Sequence, residues 1–150
     1  MVLMLPVGDL GKTTLIYALI GIKTQPTATI QDEYTLSTKR GDVKIIDMSG
    51  IMELESMVKQ VLRKIDVLCI VLRIDCLARS RSMDTWLKKA KRKQHVVVVF
   101  TSKTEITPKE KALMDAKSEM LKPLRIPHFH IDYWKRDSTK ELKRHLQSLI

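Results

Sequence analysis

The sequence predicts an α/β protein of three layers, with a mostly parallel sheet and one antiparallel edge. Three observations carry that reading. Two continuous apolar runs, Val67–Leu72 and Val96–Phe100, suit strands covered on both faces. Segments of helical period fall between them and the other strand-like runs. A single Lys39-Arg40-Gly41-Asp42 turn joins two alternating segments as a hairpin. The chain has 150 residues, with no repeat, no low-complexity tract and no long linker, so a single domain over 1–150 is expected.

The elements follow in order. Met1–Leu5 is a short apolar strand, and Lys12–Ile20 a helix with Leu15, Ile16, Leu19 and Ile20 on one face. Residues 21–31 lack a period and contain Gly21 and Pro26, so they form a loop. Glu33–Thr38 and Val43–Asp47 are the hairpin strands. Leu54, Met57, Val58, Val61 and Leu62 mark a second helix. A third helix carries Trp86 and Leu87 and ends in the run Lys88–Lys93, cations that complement the negative end of a helix dipole. His95–Phe100 is the next strand. Thr107-Pro108-Lys109-Glu110 opens a capped helix that reaches about Leu121. His128–Asp132 is the last strand, and Ser138 caps a final helix ending at Ile150.

Composition narrows the function classes. Hydrophobic residues make up 44% and charged residues 29%, a globular balance that excludes a disordered chain. No apolar run approaches the ~18 residues of a membrane span, and no signal peptide is apparent. A cytoplasmic protein is expected. Cys69 and Cys76 have neither metal spacing nor a disulfide framework. The net charge of +10 is one-sided: residues 1–75 hold 9 basic and 9 acidic residues, while residues 76–150 hold 18 and 8. Such a surplus suits either a solvated face or an anionic neighbour such as RNA or an acidic lipid.

The sharpest motif is Pro6-Val7-Gly8-Asp9-Leu10-Gly11-Lys12-Thr13-Thr14, between the first strand and the first helix. It fits GxxxxGK[ST] at Gly11, Lys12 and Thr13, with Pro6 in place of the leading glycine. Backbone N–H groups over Gly8–Thr14, running into a helix N-terminus, make an anion cradle. Lys12 would reach the terminal phosphates and the Thr13 hydroxyl would bind Mg²⁺. Asp47-Met48-Ser49-Gly50 then closes a strand as D-x-x-G, so that Asp47 can hold Mg²⁺ through water and the Gly50 N–H can meet a γ-phosphate. Gln25-Pro26-Thr27-Ala28-Thr29, in the intervening loop, offers the Thr27 hydroxyl to the same metal.

With these motifs in this order the chain resembles the Ras/Arf-like small GTPases over essentially its whole length. Ser102-Lys103-Thr104-Glu105 stands where that family has its guanine-reading N-K-x-D, and Tyr133-Trp134-Lys135 where it has S-A-K. The resemblance implies a P-loop NTPase fold with sheet order 2-3-1-4-5-6, GTP and Mg²⁺ as ligands, and a base site of Ser102, Lys103, Glu105 and Trp134. Glu105 keeps the carboxylate but is a methylene longer, and Ser102 is shorter than the family's Asn. Ile51 follows Gly50 where Ras-like enzymes place a water-orienting glutamine, so GTP hydrolysis is expected to be very slow or absent. The four histidines are expected to be surface or core residues.

Within the superfamily the pattern looks most similar to the beta subunit of the signal recognition particle receptor. That likeness implies a GTP-dependent docking module for an alpha-type subunit at the cytosolic face of the endoplasmic reticulum, here without the usual N-terminal anchor. The basic second half is compatible with a place near ribosomes or RNA. Two other functions stay open: a pseudo-GTPase scaffold, and a cycling Arf/Rab-like trafficking GTPase.

Overall fold

The computed structural model describes residues 2–21, 32–48, 55–90 and 93–150. Six strands form one sheet: β1 (Val2–Gly8), β2 (Asp32–Thr38), β3 (Gly41–Asp47), β4 (Val67–Arg73), β5 (His95–Ser102) and β6 (His128–Asp132). Its order is β2-β3-β1-β4-β5-β6, as the resemblance implied. Only β2 and β3 pair antiparallel among these neighbours. The helices are α1 (Lys12–Ile20), α2 (Glu55–Leu62), α3 (Ser82–Lys89), α4 (Pro108–Leu121) and α5 (Lys140–Ser148), with one 3₁₀ turn at Ile74–Cys76.

Alternation along the strands sorts the core into two layers. In β4, Leu68, Ile70 and Leu72 join Leu62, Met83, Trp86, Met114 and Leu121 of α2, α3 and α4 on one face. Val67, Cys69 and Val71 join Leu15, Ile16 and Leu19 of α1 and Leu142 and Leu146 of α5 on the other. All six of these β4 side chains are buried, which is why the run reads as continuously apolar. Burial also pushes the Cys69 thiol up to about 12, leaving it a small inert hydrophobe.

Several boundaries differ from the sequence reading by one or more residues, and three of them have a clear physical cause. β1 does not stop at Leu5 but runs through Pro6 to Gly8. Its pairing with β3 ends at Met4, whereas its pairing with β4 continues from Met4 to Gly8, so the residue without an N–H lies beyond the β3 ladder. β5 extends to Ser102, in register with Asp132 of β6, because pairing on both sides carries it past the apolar run. The final helix begins one residue later than expected. Asp137 adopts a left-handed φ of 58° and its carbonyl accepts from Lys140 N at 3.1 Å, which makes Thr139 rather than Ser138 the N-cap. Thr107, by contrast, forms the expected capping box with Glu110, with Pro108 at the first helical position.

Candidate functional site

β1 lies between β3 and β4, so strand order reverses beside it. In an open α/β sheet the crevice past the carboxyl ends of the strands at such a point is where ligands settle. The loop leaving β1 there is held by two left-handed glycines. Gly8 has φ 107°, and a Cβ on it would lie 2.5 Å from the Val71 carbonyl oxygen, so only glycine fits. Gly11, with φ 97°, is the N-cap of α1 and turns the chain into the helix. Lys12 curls back over this loop, its Nζ donating to the carbonyl oxygens of Gly8 at 3.5 Å and Asp9 at 3.4 Å. The ammonium therefore sits inside the ring of backbone that would surround a polyphosphate.

The metal-binding expectation tests on two residues. Thr13 Oγ1 donates to Asp47 Oδ2 at 2.8 Å, joining the start of α1 to the end of β3. Asp47 is only 3% exposed. A hydroxyl and a buried carboxylate in contact are hard oxygen donors of the kind that Mg²⁺ takes together with phosphate oxygens, so the residues fit that ion. Thr27 and Gly50, the other two switch residues, lie outside the described residues, as does Ile51.

Asp9 has a different place from the one its motif position implies. Its N–H donates to the Val71 carbonyl at 2.9 Å and so is directed at β4. Its carboxylate accepts from Arg73 N at 3.0 Å, Ser80 Oγ at 2.9 Å and Ser82 Oγ at 2.8 Å. The reason is electrostatic: a carboxylate turned away from the cradle does not repel phosphate and has three donors to satisfy it. Asp9 thus fastens the loop to the segment that opens α3.

Beside the loop lies a cavity of about 320 Å³, into which Leu10, Gly11, Thr14, Ser102 and Lys103 all face. It is of a size that takes a small organic ligand. The sequence reading missed the rest of its wall: Arg73 at the end of β4 with Ile74 and Asp75 just past it, Thr101 of β5, Thr104, Ile106 and Glu110 leading into α4, and Tyr133. The rule that strand ends build the crevice would have pointed to the β4 residues. Arg73 and Asp75 form a forked pair, Nε to Oδ1 at 3.1 Å and Nη2 to Oδ2 at 2.6 Å.

Two of the four expected base-site residues are not part of that wall. Glu105 is exposed and lines no part of the cavity. Trp134 is 51% exposed, with Lys135 Nζ 5.0 Å from its ring centroid. The cause is local: Tyr133 N donates to the Ser102 carbonyl at 2.9 Å, which puts the Tyr133 side chain, not its neighbour, against the cavity. The Tyr133 hydroxyl is buried without a hydrogen-bond partner among the described residues, and burial pushes its pKa well above the ordinary phenol value.

Ser102 is also engaged. Its hydroxyl donates to Asp132 Oδ1 and lies 3.1 Å from His130 Nε2. His130 is 2.8 Å from the same carboxylate oxygen, and Lys135 Nζ 3.1 Å from the other. Burial opposes the charge on Asp132, but the hydrogen bonds from Ser102 and Lys135 and the nearby charges outweigh it and hold its pKa below the usual value. His130 is thus neither a plain surface nor a plain core histidine. It belongs to a polar knot beneath the cavity, visible in sequence only once β5 and β6 are set in register.

A family model describing 50S ribosome-binding GTPases matches residues 7–126 of this chain. Among solved structures, the chain is similar to that of Era crystallised with MgGDPNP and nucleotides 1506–1542 of 16S ribosomal RNA. The TM-score is 0.73 at 20% identity, over 97% of this chain and 55% of that one. The chain therefore spans about half the length of that structure, and at this identity the likeness is one of fold. No curated protein matches the sequence.

Proposed function

Because the chain belongs to the family of 50S ribosome-binding GTPases, we propose that it is a GTP- and Mg²⁺-dependent switch that docks on ribosomal RNA. The observation that carries the nucleotide half is the Thr13–Asp47 hydrogen bond, which joins the phosphate loop to the end of β3 at 2.8 Å. Mg²⁺, when bound, screens the charge between the terminal phosphates. Lys12 supplies a second positive charge there, and the N–H groups at the start of α1 supply fixed partial charges. Thr13 and Asp47, now in contact with each other, are the residues that would hold the metal. Lys103 and Tyr133 border the adjoining cavity, which takes the base.

The RNA half rests on the family's description and on the ribosomal RNA in the Era crystal. It agrees with the basic surplus of residues 76–150. Neither comparison supports the receptor-subunit reading that the sequence resemblance implied. Hydrolysis is slow in this proposal, because Ile51 cannot orient a water.

The test is nucleotide content followed by titration. Protein denatured fresh from purification should release GTP or GDP, and emptied protein should bind GTP with Mg²⁺ in preference to ATP. Lys12→Ala should weaken GTP binding at least tenfold. A protein that releases no nucleotide and ignores added GTP has kept the fold as a scaffold, and the switch is then wrong.

A further inference from the structure

We propose that the groove between β2 and α5 binds the phosphate backbone of double-helical RNA. This surface has no residue in common with the nucleotide cavity. It encloses about 440 Å³ and is lined on one side by Leu36–Lys39 of β2 and its hairpin, and on the other by α5 and the turn before it. The inference deepens the RNA half of the proposed function and rests on it.

Lys140, Lys143, Arg144 and Gln147 stand at i, i+3, i+4 and i+7, a stripe of neighbours roughly 5–6 Å apart along one face. Lys39 faces them from the hairpin. None of these four cations has an ion pair among the described residues. Asp137 is the lone carboxylate among the residues lining the groove. Four unpaired cations against one carboxylate favour a polyanion.

Chemistry then selects among polyanions. A helix that lies on a lipid surface needs an apolar face free to enter it. The apolar face of α5 is already spent: Leu142 and Leu146 are 1% and 0% exposed in the core. Of the exposed large apolar side chains among the described residues, Leu10, Met120, Leu124 and Trp134, none lines the groove. Among the described residues no aromatic ring lines it either, so they give it no platform on which single-stranded bases stack. What remains is charge in a concave channel, which suits duplex phosphates and carries no base specificity.

The hairpin wall is firmly built. Thr38 Oγ1 donates to the Gly41 carbonyl at 2.7 Å and accepts from Arg40 N at 3.2 Å. A Cβ on Gly41 would come 3.1 Å from Ile150 Cγ2, so the C-terminal residue lies directly against the turn. Ile150, which follows α5, thereby packs against the hairpin that forms the opposite wall.

The experiment uses a fluorescein-labelled 20-base-pair RNA of arbitrary sequence, read by anisotropy from 50 to 200 mM KCl. Wild type should bind with a steep salt dependence. A Lys39→Gln, Lys140→Gln, Lys143→Gln, Arg144→Gln variant should lose at least tenfold in affinity, with a salt slope smaller by about one per cation in phosphate contact. Its GTP affinity should be unchanged, which also shows that it folds. A control removing charge elsewhere, Arg81→Gln with Lys88→Gln and Lys89→Gln, should keep most of the binding. Equal losses in variant and control overturn the groove but leave the RNA reading standing, as does unchanged binding in the variant. A wild type that ignores RNA at low salt overturns both. Tighter binding to phosphatidylserine vesicles, to polyglutamate or to a DNA duplex of the same length overturns the choice of RNA.

Discussion

Single residues decide whether the cradle can form. At Gly8 the backbone is left-handed and the Val71 carbonyl occupies the place of a side chain. Gly8→Ala should therefore destabilise the fold by about 2–3 kcal/mol, from backbone strain and the clash together. Urea unfolding with unchanged slope would measure it, and a variant as stable as wild type would show that the loop can move off β4. Burial is the largest cause pushing the pKa of both His130 and His145 below 6.5. The unfolded chain then binds more protons than the folded one between those lowered values and 6.5. Stability should fall as pH drops below about 6.5 and level off once the folded histidines also protonate. Urea midpoints at pH 7.5, 6.5 and 5.5 check this, and replacing both histidines by Gln should flatten the profile. At this scale the loop was legible from Gly11, Lys12 and Thr13 alone. The placement of Asp9 was not, because its partners Ser80 and Ser82 are some 70 positions distant.

Elements were legible where local chemistry fixes them. Thr107, Pro108 and Glu110 announce the start of α4 in the sequence, and the capping box forms as read. Thr107→Ala should cost about 1 kcal/mol. The loss is that of the Oγ1 acceptor for Glu110 N, since the Glu110 carboxylate keeps its bond at 2.9 Å from the backbone N–H of residue 107. Chemical denaturation measures it, and a loss below about 0.3 kcal/mol would mean that tertiary packing, not the cap, sets the helix start. Boundaries governed by pairing between distant strands were not legible. Hydropathy ends β5 at Phe100, yet pairing with β4 carries it to Thr101 and pairing with β6 to Ser102. The Ser102 carbonyl, which accepts from Tyr133 N, sets Tyr133 in the wall and leaves Trp134 outside, a choice that adjacent aromatics in a sequence do not reveal.

For the whole molecule, the sheet order followed from recognising the succession of motifs, since periodicity alone yields strands without their neighbours. The folded domain should gain from its ligand as a unit. With GTP and Mg²⁺ at a hundred times the dissociation constant, linkage adds about 2.7 kcal/mol, which for a domain of this size raises the melting temperature by about 5–10 °C. ATP should give no such shift, and neither should GTP with Lys12→Ala. An equal rise with both nucleotides would mean that the cavity does not select the base. The fastening of the phosphate loop has a mechanical consequence beyond stability. Through Asp9 its main chain and its side chain are both anchored to β4 and to the residues that open α3. A loop moored in that way cannot yield alone when nucleotide leaves: it must slip those bonds or carry the head of α3 with it.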